Sequence, residues 1–402
     1  MSIVKTGSSD ESPEGGPEKR DERRPERRND TRDDIKGSLR LNAQSRLRIL
    51  VVRPDRMGDV ILSTPVFEAI KAHYPRSHLT VLVREPVAPL LRGLPSVDEV
   101  LVYDPGRKHK GLRGLLLLGA QIRKRQFRIG VVLQGDFRVG LALLFGRVKY
   151  RIGPLSKLFS FIVYNRGVRQ RRSHVEMHET DYNLQLLRRL GIRVATRKVA
   201  TQVHLPDAAL TDARVWLRER GWDEVRPLVV VHPGMGGSAL NWPESHYVEL
   251  IRALLSENRA VLLTAGELEA GLAARIREAL GPLQNAVIFY VNTARDPVTF
   301  LGALYSQASL VVAPSTGPLH LAGALGVPLV TFYPPIRVQS AVRWGPYLVD
   351  ESRASVLVPE VYCGEDFACR GSLCHYYPCM KGLTVAQAVE QANIQLSHPK
   401  KP

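Results

Sequence analysis

Asp59 closes the run Arg53-Pro54-Asp55-Arg56-Met57-Gly58-Asp59, which follows an apolar stretch with the character of a strand. A lone carboxylate at the tip of a strand can cap the next helix, or it can take a proton from an attacking hydroxyl across a cleft. Arg53 and Arg56 beside it would hold anionic groups and keep the carboxylate ionised. A second polar turn, His232-Pro233-Gly234-Met235-Gly236-Gly237-Ser238, also follows an apolar run. Successive N–H groups in such a Gly-rich turn can cradle a diphosphate. Gly234-x-Gly236-x-x-Ala239 fits the loose dinucleotide fingerprint, but there the third position opens the helix directly. Here Asn241-Trp242-Pro243 intervenes, so the turn reads as a phosphate or sugar-nucleotide loop. A third turn, Pro314-Ser315-Thr316-Gly317-Pro318-Leu319-His320, offers hydroxyls and free N–H groups at a helix start. An ordinary Ser/Thr cap would account for it alone; beside a second Gly-rich turn in the same half, diphosphate binding is the better account.

These turns need strands to present them. Arg48–Val52, His78–Val83, Glu99–Tyr103 and Arg128–Leu133 read as strands of a first half. A helical pattern runs through Val60, Ile61, Val66, Phe67 and Ile70, with Pro65 inside its first turns. Tyr182–Leu190 is helical and stops at Gly191. Pro227–Val231, Ala260–Thr264, Val287–Val291, Ser309–Ala313 and Pro328–Phe332 are strands of a second half, with helices from near Pro243 to Glu257 and over Leu319–Leu325. Strands alternating with helices imply parallel βαβ units, hence two doubly wound α/β domains. Ligands in such folds bind beyond the carboxyl ends of the strands, where each polar turn falls.

The whole chain has 402 residues, of which 44% are apolar and 24% charged, enough for two compact domains. Its net charge is 56 − 39 = +17, so anionic partners are expected. Residues 1–40 carry ten Lys/Arg and ten Asp/Glu and almost no large apolar residues, the composition of a disordered tail. Between Pro105 and Val175 stand 17 Lys/Arg against one acid, Asp136. That excess is a solvated basic face or a docking surface. The apolar runs Leu115–Leu118, Leu141–Phe145 and Leu158–Val163 within it favour an anionic membrane surface over nucleic acid, for which no motif is present. No apolar run approaches the roughly 18 residues that span a bilayer, and the first 45 residues hold no leader-like apolar segment. A cytoplasmic protein, soluble or peripheral to the membrane, is expected. Cys363, Cys369, Cys374 and Cys379 crowd the C-terminal end at spacings that match no CxxC zinc knuckle. Free thiols or a local metal site are expected there rather than disulfides, with less than stoichiometric zinc or iron.

At three of these sites the chain resembles glycosyltransferase family 9, the ADP-heptose:lipopolysaccharide heptosyltransferases. The matching pieces are Arg53-x-Asp55-Arg56-x-Gly58-Asp59-x-x-x-x-Thr64-Pro65, Val231-His232-Pro233-Gly234 with Asn241-Trp242-Pro243, and Ser315-Thr316-Gly317-Pro318-x-His320-x-Ala322; the end at Cys379-Met380 is also similar. The resemblance implies a GT-B fold, two Rossmann-like domains facing across a cleft. It divides the chain into a tail (1–45), an acceptor domain (46–208) and a nucleotide-sugar domain (209–398) that includes the Cys-rich segment 363–379. It implies inverting transfer of a heptose or similar sugar from ADP-heptose to a lipopolysaccharide core at the cytoplasmic face of the inner membrane. No metal is required, with Mg2+ at most an activator. Carried over by position, Asp59 matches the base, Gly236, Gly237 and Ser238 the donor-phosphate loop, Glu269 the acid on the adenosine ribose, and Thr316, Gly317 and His320 the donor turn; Gly234 and Ser315 complete those turns. Leu240 and Asn241 stand where the family carries a Lys, and Ser315 where it carries an Asp, so donor recognition differs here. Another donor or cell-envelope acceptor is the alternative within this class, and a non-catalytic nucleotide-sugar-binding or membrane-adaptor protein the alternative outside it.

Overall fold

The structure, a computed structural model, describes residues 3–4, 39, 41–237, 239–293, 297–363 and 368–398. In the first lobe β2 (Arg48–Val52), β3 (His78–Val83), β4 (Glu99–Val102), β5 (Ile129–Val132) and β6 (Tyr150–Ile152) form one sheet in the order β4-β3-β2-β5-β6. Helices α1 (Met57–Ile61), α2 (Thr64–His73), α3 (Gly111–Lys124), α4 (Phe137–Phe145), α5 (Ser160–Val163) and α6 (Glu179–Leu186) accompany it. The second lobe opens with α7 (Asp207–Arg218), then β7 (Leu228–Val231), α8 (Glu244–Ser256), β8 (Ala260–Gly266), α9 (Ala270–Ala279), β9 (Val287–Asn292) and α10 (Val298–Ser306). It continues through β10 (Leu310–Pro314), α11 (Gly317–Ala324), β11 (Leu329–Phe332), α12 (Ala341–Trp344), β12 (Ala354–Leu357) and α13 (Val385–Ser397). Its sheet runs β1-β12-β11-β10-β7-β8-β9, where β1 is Ile3–Val4.

Every pairing in both sheets is parallel. The reason lies in composition: β2, β5, β7 and β10 are mostly Val, Ile and Leu and, apart from Arg48, buried on both faces, as helix-covered parallel sheets require. In each sheet the lobe's first long strand sits centrally, so the order reverses beside it. The crevices at β2/β5 and β7/β10 are therefore the two places where a ligand can enter beyond the strand ends. A single apolar cluster runs from Ile49, Val51 and Leu79 through Leu217 to Val230 and Val311, joining the lobes.

Two expectations are corrected. Ile3–Val4, assigned with the tail to disorder, pair with Val356 and Leu357, where the outer edge of β12 offers unpaired backbone groups to the tail's one adjacent pair of apolar residues. The rest of 1–38 lies outside the described residues. The helical pattern from Val60 to Ile70 is two helices, broken at Leu62–Ser63. Pro65 has no N–H for the carbonyl of Ile61, and the Thr64 hydroxyl donates to that carbonyl instead, at 2.8 Å.

Candidate active site

Asp59 lies in the first turn of α1, beyond the carboxyl end of β2. It caps nothing: the N-cap is Arg56, with no side-chain capping bond. Its Oδ1 accepts a hydrogen bond from Arg53 Nη2 at 2.8 Å, and among the described residues Oδ2 has no partner. Arg53, expected from sequence to hold an anionic group, has its guanidinium turned to the chain's own carboxylates. It is 2% exposed and surrounded by carboxylates: Asp55 at 3.0 Å, Asp59 at 2.8 Å and Glu179 at 3.2 Å. Burial alone would lower its pKa, but Glu179, Asp59 and Asp55 outweigh burial and raise it. Asp55 is raised, because its burial outweighs the nearby Arg53 charge. Arg53 is thus a fixed positive post that orients the Asp59 carboxylate.

Glu179 was not foreseen, since a lone acid at the start of a helix carries no motif. It is 1% exposed and also binds Arg172, and from the second lobe Arg343 donates to its Oε2 at 3.3 Å. The line Asp59–Arg53–Glu179–Arg343 therefore crosses between the lobes. Beside it, the His178 imidazole reaches the Gly345 carbonyl (2.9 Å) and the Tyr347 hydroxyl donates to Asp181 (2.9 Å). Burial holds His178 down to a pKa of about 3, so its ring is neutral.

Opposite α1 stands the β7/β10 crevice. Gly236 and Gly237 take consecutive left-handed conformations (φ 61° and 67°), which a side chain would strain. Ser238 lies outside the described residues. Glu269, expected at a ribose, lies against this loop: its Oε1 accepts from the Gly236 N–H, and a Cβ on Gly234 would clash with its Oε2. His232 packs behind it, its Nδ1 3.0 Å from the Thr264 hydroxyl. Its Nε2 stands 3.9 Å from Glu269, yet burial holds its pKa to about 4, so this is no ion pair. Asn241, part of the Asn241-Trp242-Pro243 motif, fastens the loop. Its Nδ2 donates to the Pro233 carbonyl at 2.6 Å, and its Oδ1 accepts from Tyr247 at 3.0 Å. Trp242 anchors the same turn by stacking on Phe332 (4.2 Å between ring centroids).

The third turn meets the first across the crevice. Thr316 occupies the N-cap of α11 without a side-chain capping bond, so the cap explanation fails for it. Ser315 pairs with the Tyr333 hydroxyl. A Cβ on Gly58 would lie 2.8 Å from His320 Cδ2 and 3.2 Å from Gly317 Cα, so the starts of α1 and α11 touch. His320 is buried, its pKa held to about 4, and its Nδ1 is buried without a hydrogen-bond partner. Arg56 is exposed, and Nη1 comes within 4.0 Å of where a Cβ on Gly236 would lie. It thus faces the phosphate loop of the other lobe. The four cysteines are half-buried and form no disulfide among the described residues; burial and then the proximity of Cys363, Cys369 and Cys374 raise Cys379. Among the described residues no three His, Cys, Asp or Glu side chains are grouped to hold a metal ion.

Two parallel-sheet lobes whose switch points face each other, with the Asp59 carboxylate on one and the Gly236–Gly237 loop on the other, have the GT-B architecture. Residues 115–373 match the family described as Glycosyltransferase family 9 (heptosyltransferase), and the chain belongs to that family. A Haemophilus influenzae protein described no further than as a glycosyltransferase is 32% identical over 74% of this chain and 86% of its own length. Lipopolysaccharide heptosyltransferase 2 of Salmonella typhimurium is 25% identical over 72% of this chain and 83% of its own. The fold is that of the solved Escherichia coli ADP-heptose lps heptosyltransferase II, with a TM-score of 0.71 and 22% identity over 87% of this chain and 98% of that one.

Proposed function

We propose that this enzyme transfers a heptose from ADP-heptose to a lipopolysaccharide-core acceptor, inverting the anomeric carbon, with Asp59 as general base. The observation that supports the reading is that Asp59, held by buried Arg53, follows Gly58, which touches Gly317, and stands three residues from Arg56, which faces Gly236. The donor and acceptor follow its relatives, a lipopolysaccharide heptosyltransferase 2 and an ADP-heptose lps heptosyltransferase II. In the reaction the acceptor oxygen attacks the anomeric carbon while the bond from that carbon to the diphosphate oxygen breaks. The acceptor proton passes to Asp59, and the bonding pair leaves with the nucleoside diphosphate. One inverting displacement needs this single base. Charge developing on the leaving diphosphate would be met by the loop N–H groups and by Arg56, preorganised before reaction. With those groups in place no metal is required, and Mg2+ is at most an activator. The acceptor would be drawn from the cytoplasmic face of the inner membrane, and the positive charge of residues 105–175 supports approach to that anionic surface.

Asp59→Asn tests the base. The expected result is a normally folded protein that binds donor, with transfer reduced about 10²- to 10⁴-fold. Transfer at the wild-type rate by the folded variant overturns the assignment. A thermal-shift series over nucleotide sugars tests the donor, because a ligand bound only by the folded state raises its melting temperature. ADP-heptose is expected to give the largest shift, and a larger one with another nucleotide sugar replaces it as donor.

A further inference from the structure

We infer that the first lobe seats on an anionic lipid bilayer through one apolar face built by the starts of α3 and α4 and by the segment around α5. Leu112, Phe137, Leu158, Phe161 and Ile162 leave 69%, 42%, 88%, 54% and 69% of their surface exposed. They come from three stretches of chain, and specific contacts bring those stretches together. The Arg138 guanidinium donates to the carbonyls of His109 (2.9 Å) and Gly111 (2.6 Å), fixing the start of α4 beside the start of α3. The Phe137 ring lies 5.7 Å from that of Phe159, next to Leu158. A Cβ on Gly140 would lie 2.6 Å from Val163, so α5 packs directly on α4.

Exposed Arg107, Lys108, Lys110 and Arg113 stand around Leu112, and exposed Lys157 precedes Leu158. Among the described residues none of these five cations is ion-paired. The only acid from Pro105 to Val175, Asp136, is engaged in accepting the Val139 N–H as the cap of α4. The face thus combines an excess of positive charge, which Asp104 beside Arg107 offsets only in part, with aliphatic and aromatic side chains that water disfavours. Nucleic acid would satisfy the cations and leave Leu158 and Ile162 against phosphate. A bilayer satisfies both, taking the apolar side chains below the headgroups and the cations at lipid phosphates. No helix among the described residues is long and apolar enough to cross a membrane, so the contact is with the surface. Because α4 follows β5 and Asp59 follows β2, the neighbouring strand, this face lies at the same end of the lobe as the base. The inference deepens the acceptor assignment above and rests on it for its purpose, since a lipid-borne acceptor would rise from the bilayer beside the crevice.

The test is flotation of the full chain with phosphatidylethanolamine–phosphatidylglycerol vesicles and with phosphatidylcholine vesicles, for wild type, for Leu158→Ser/Phe161→Ser/Ile162→Ser and for Lys108→Gln/Lys110→Gln/Arg113→Gln. Wild type is expected to float with the anionic vesicles alone, and each triple variant to lose at least about tenfold in affinity with an unchanged melting temperature. Three results overturn the inference: wild type that fails to float, an apolar variant that floats like wild type, and binding of an RNA oligonucleotide in place of the vesicles. Transfer assays separate this from the acceptor assignment. The apolar variant should glycosylate a deacylated, water-soluble acceptor at the wild-type rate and the vesicle-borne acceptor more slowly. Wild type that floats yet uses neither acceptor sinks the assignment and leaves the docking surface standing.

Discussion

Arginine is where single residues decide the site, and its two roles differ by burial. Arg53 is enclosed with three carboxylates, while Glu179 meets three arginines, so the cluster is balanced only when every member is present. Removing one partner of a buried ion pair leaves an uncompensated charge and costs about 3–5 kcal/mol. Glu179→Gln, which removes the acid shared by Arg53, Arg172 and Arg343, is expected to lose stability near the low end of that range, read from urea unfolding. It should also lower kcat more than it raises donor KM, because Arg53 then holds Asp59 less firmly. Exposed Arg56 predicts the opposite pattern: Arg56→Ala should leave the unfolding midpoint in place and cut kcat/KM about 10²-fold through lost stabilisation of the leaving diphosphate. An unchanged kcat/KM would remove it from the donor site. The sequence places both arginines beside Asp59 but cannot distinguish them, since burial depends on Glu179, 126 positions from Arg53. The same limit explains Glu269, whose place against Gly234 and Gly236 follows from the approach of the segment after β8 to the loop after β7.

At the scale of elements, the two short helix starts at Gly58 and Gly317 form the contact on which the crevice closes. Neither glycine has a positive φ there; what excludes a side chain is the neighbouring backbone and the His320 ring. Gly58→Ala would place a methyl 2.8 Å from that ring and 3.2 Å from Gly317 Cα, so the lobes must part by a fraction of an ångström. Misplacement on that scale between reacting groups is expected to slow kcat by about 10- to 100-fold with a small change in melting temperature. Wild-type kcat in Gly58→Ala would show that the contact does not position the reactants. Most strands were legible because parallel strands buried on both faces read as unbroken apolar runs, and β2 and β3 fall within their expected limits. β6, with Tyr150 and Arg151 only partly buried, and β12, with Ser355 in its middle, lack such runs and are held by pairing with β5 and β11, which their own residues do not announce. The contact between α1 and α11 was illegible for the same reason, since neither turn encodes its partner.

Across the whole molecule, three neutral imidazoles link the lobes to pH. His178, His232 and His320 are buried, and burial lowers them from an ordinary 6.5 to about 3, 4 and 4. Between pH 6.5 and 4 the unfolded chain binds protons at these positions that the folded chain refuses. Stability is therefore full above pH 6.5 and falls as the solution is acidified, by roughly 1.4 kcal/mol per pH unit for each histidine near pH 5, or about 4 for the three. Asp55 and Asp181 act in the opposite sense, since burial raises both and the folded chain holds their protons more tightly, but they do so near the carboxylate range. His178 shows why the ring resists charging. Its Nδ1 accepts the Thr180 N–H at 3.1 Å, so the proton sits on Nε2, which donates to Gly345 in the other lobe. A second proton on Nδ1 would face the Thr180 N–H donor and break the turn that starts α6 against α12. Unfolding free energies measured by urea at pH 7, 6 and 5 should fall steeply below pH 6.5, and His178→Gln should remove about a third of the slope. A flat profile over that range would mean that these rings are open to solvent and the lobes are not closed on them.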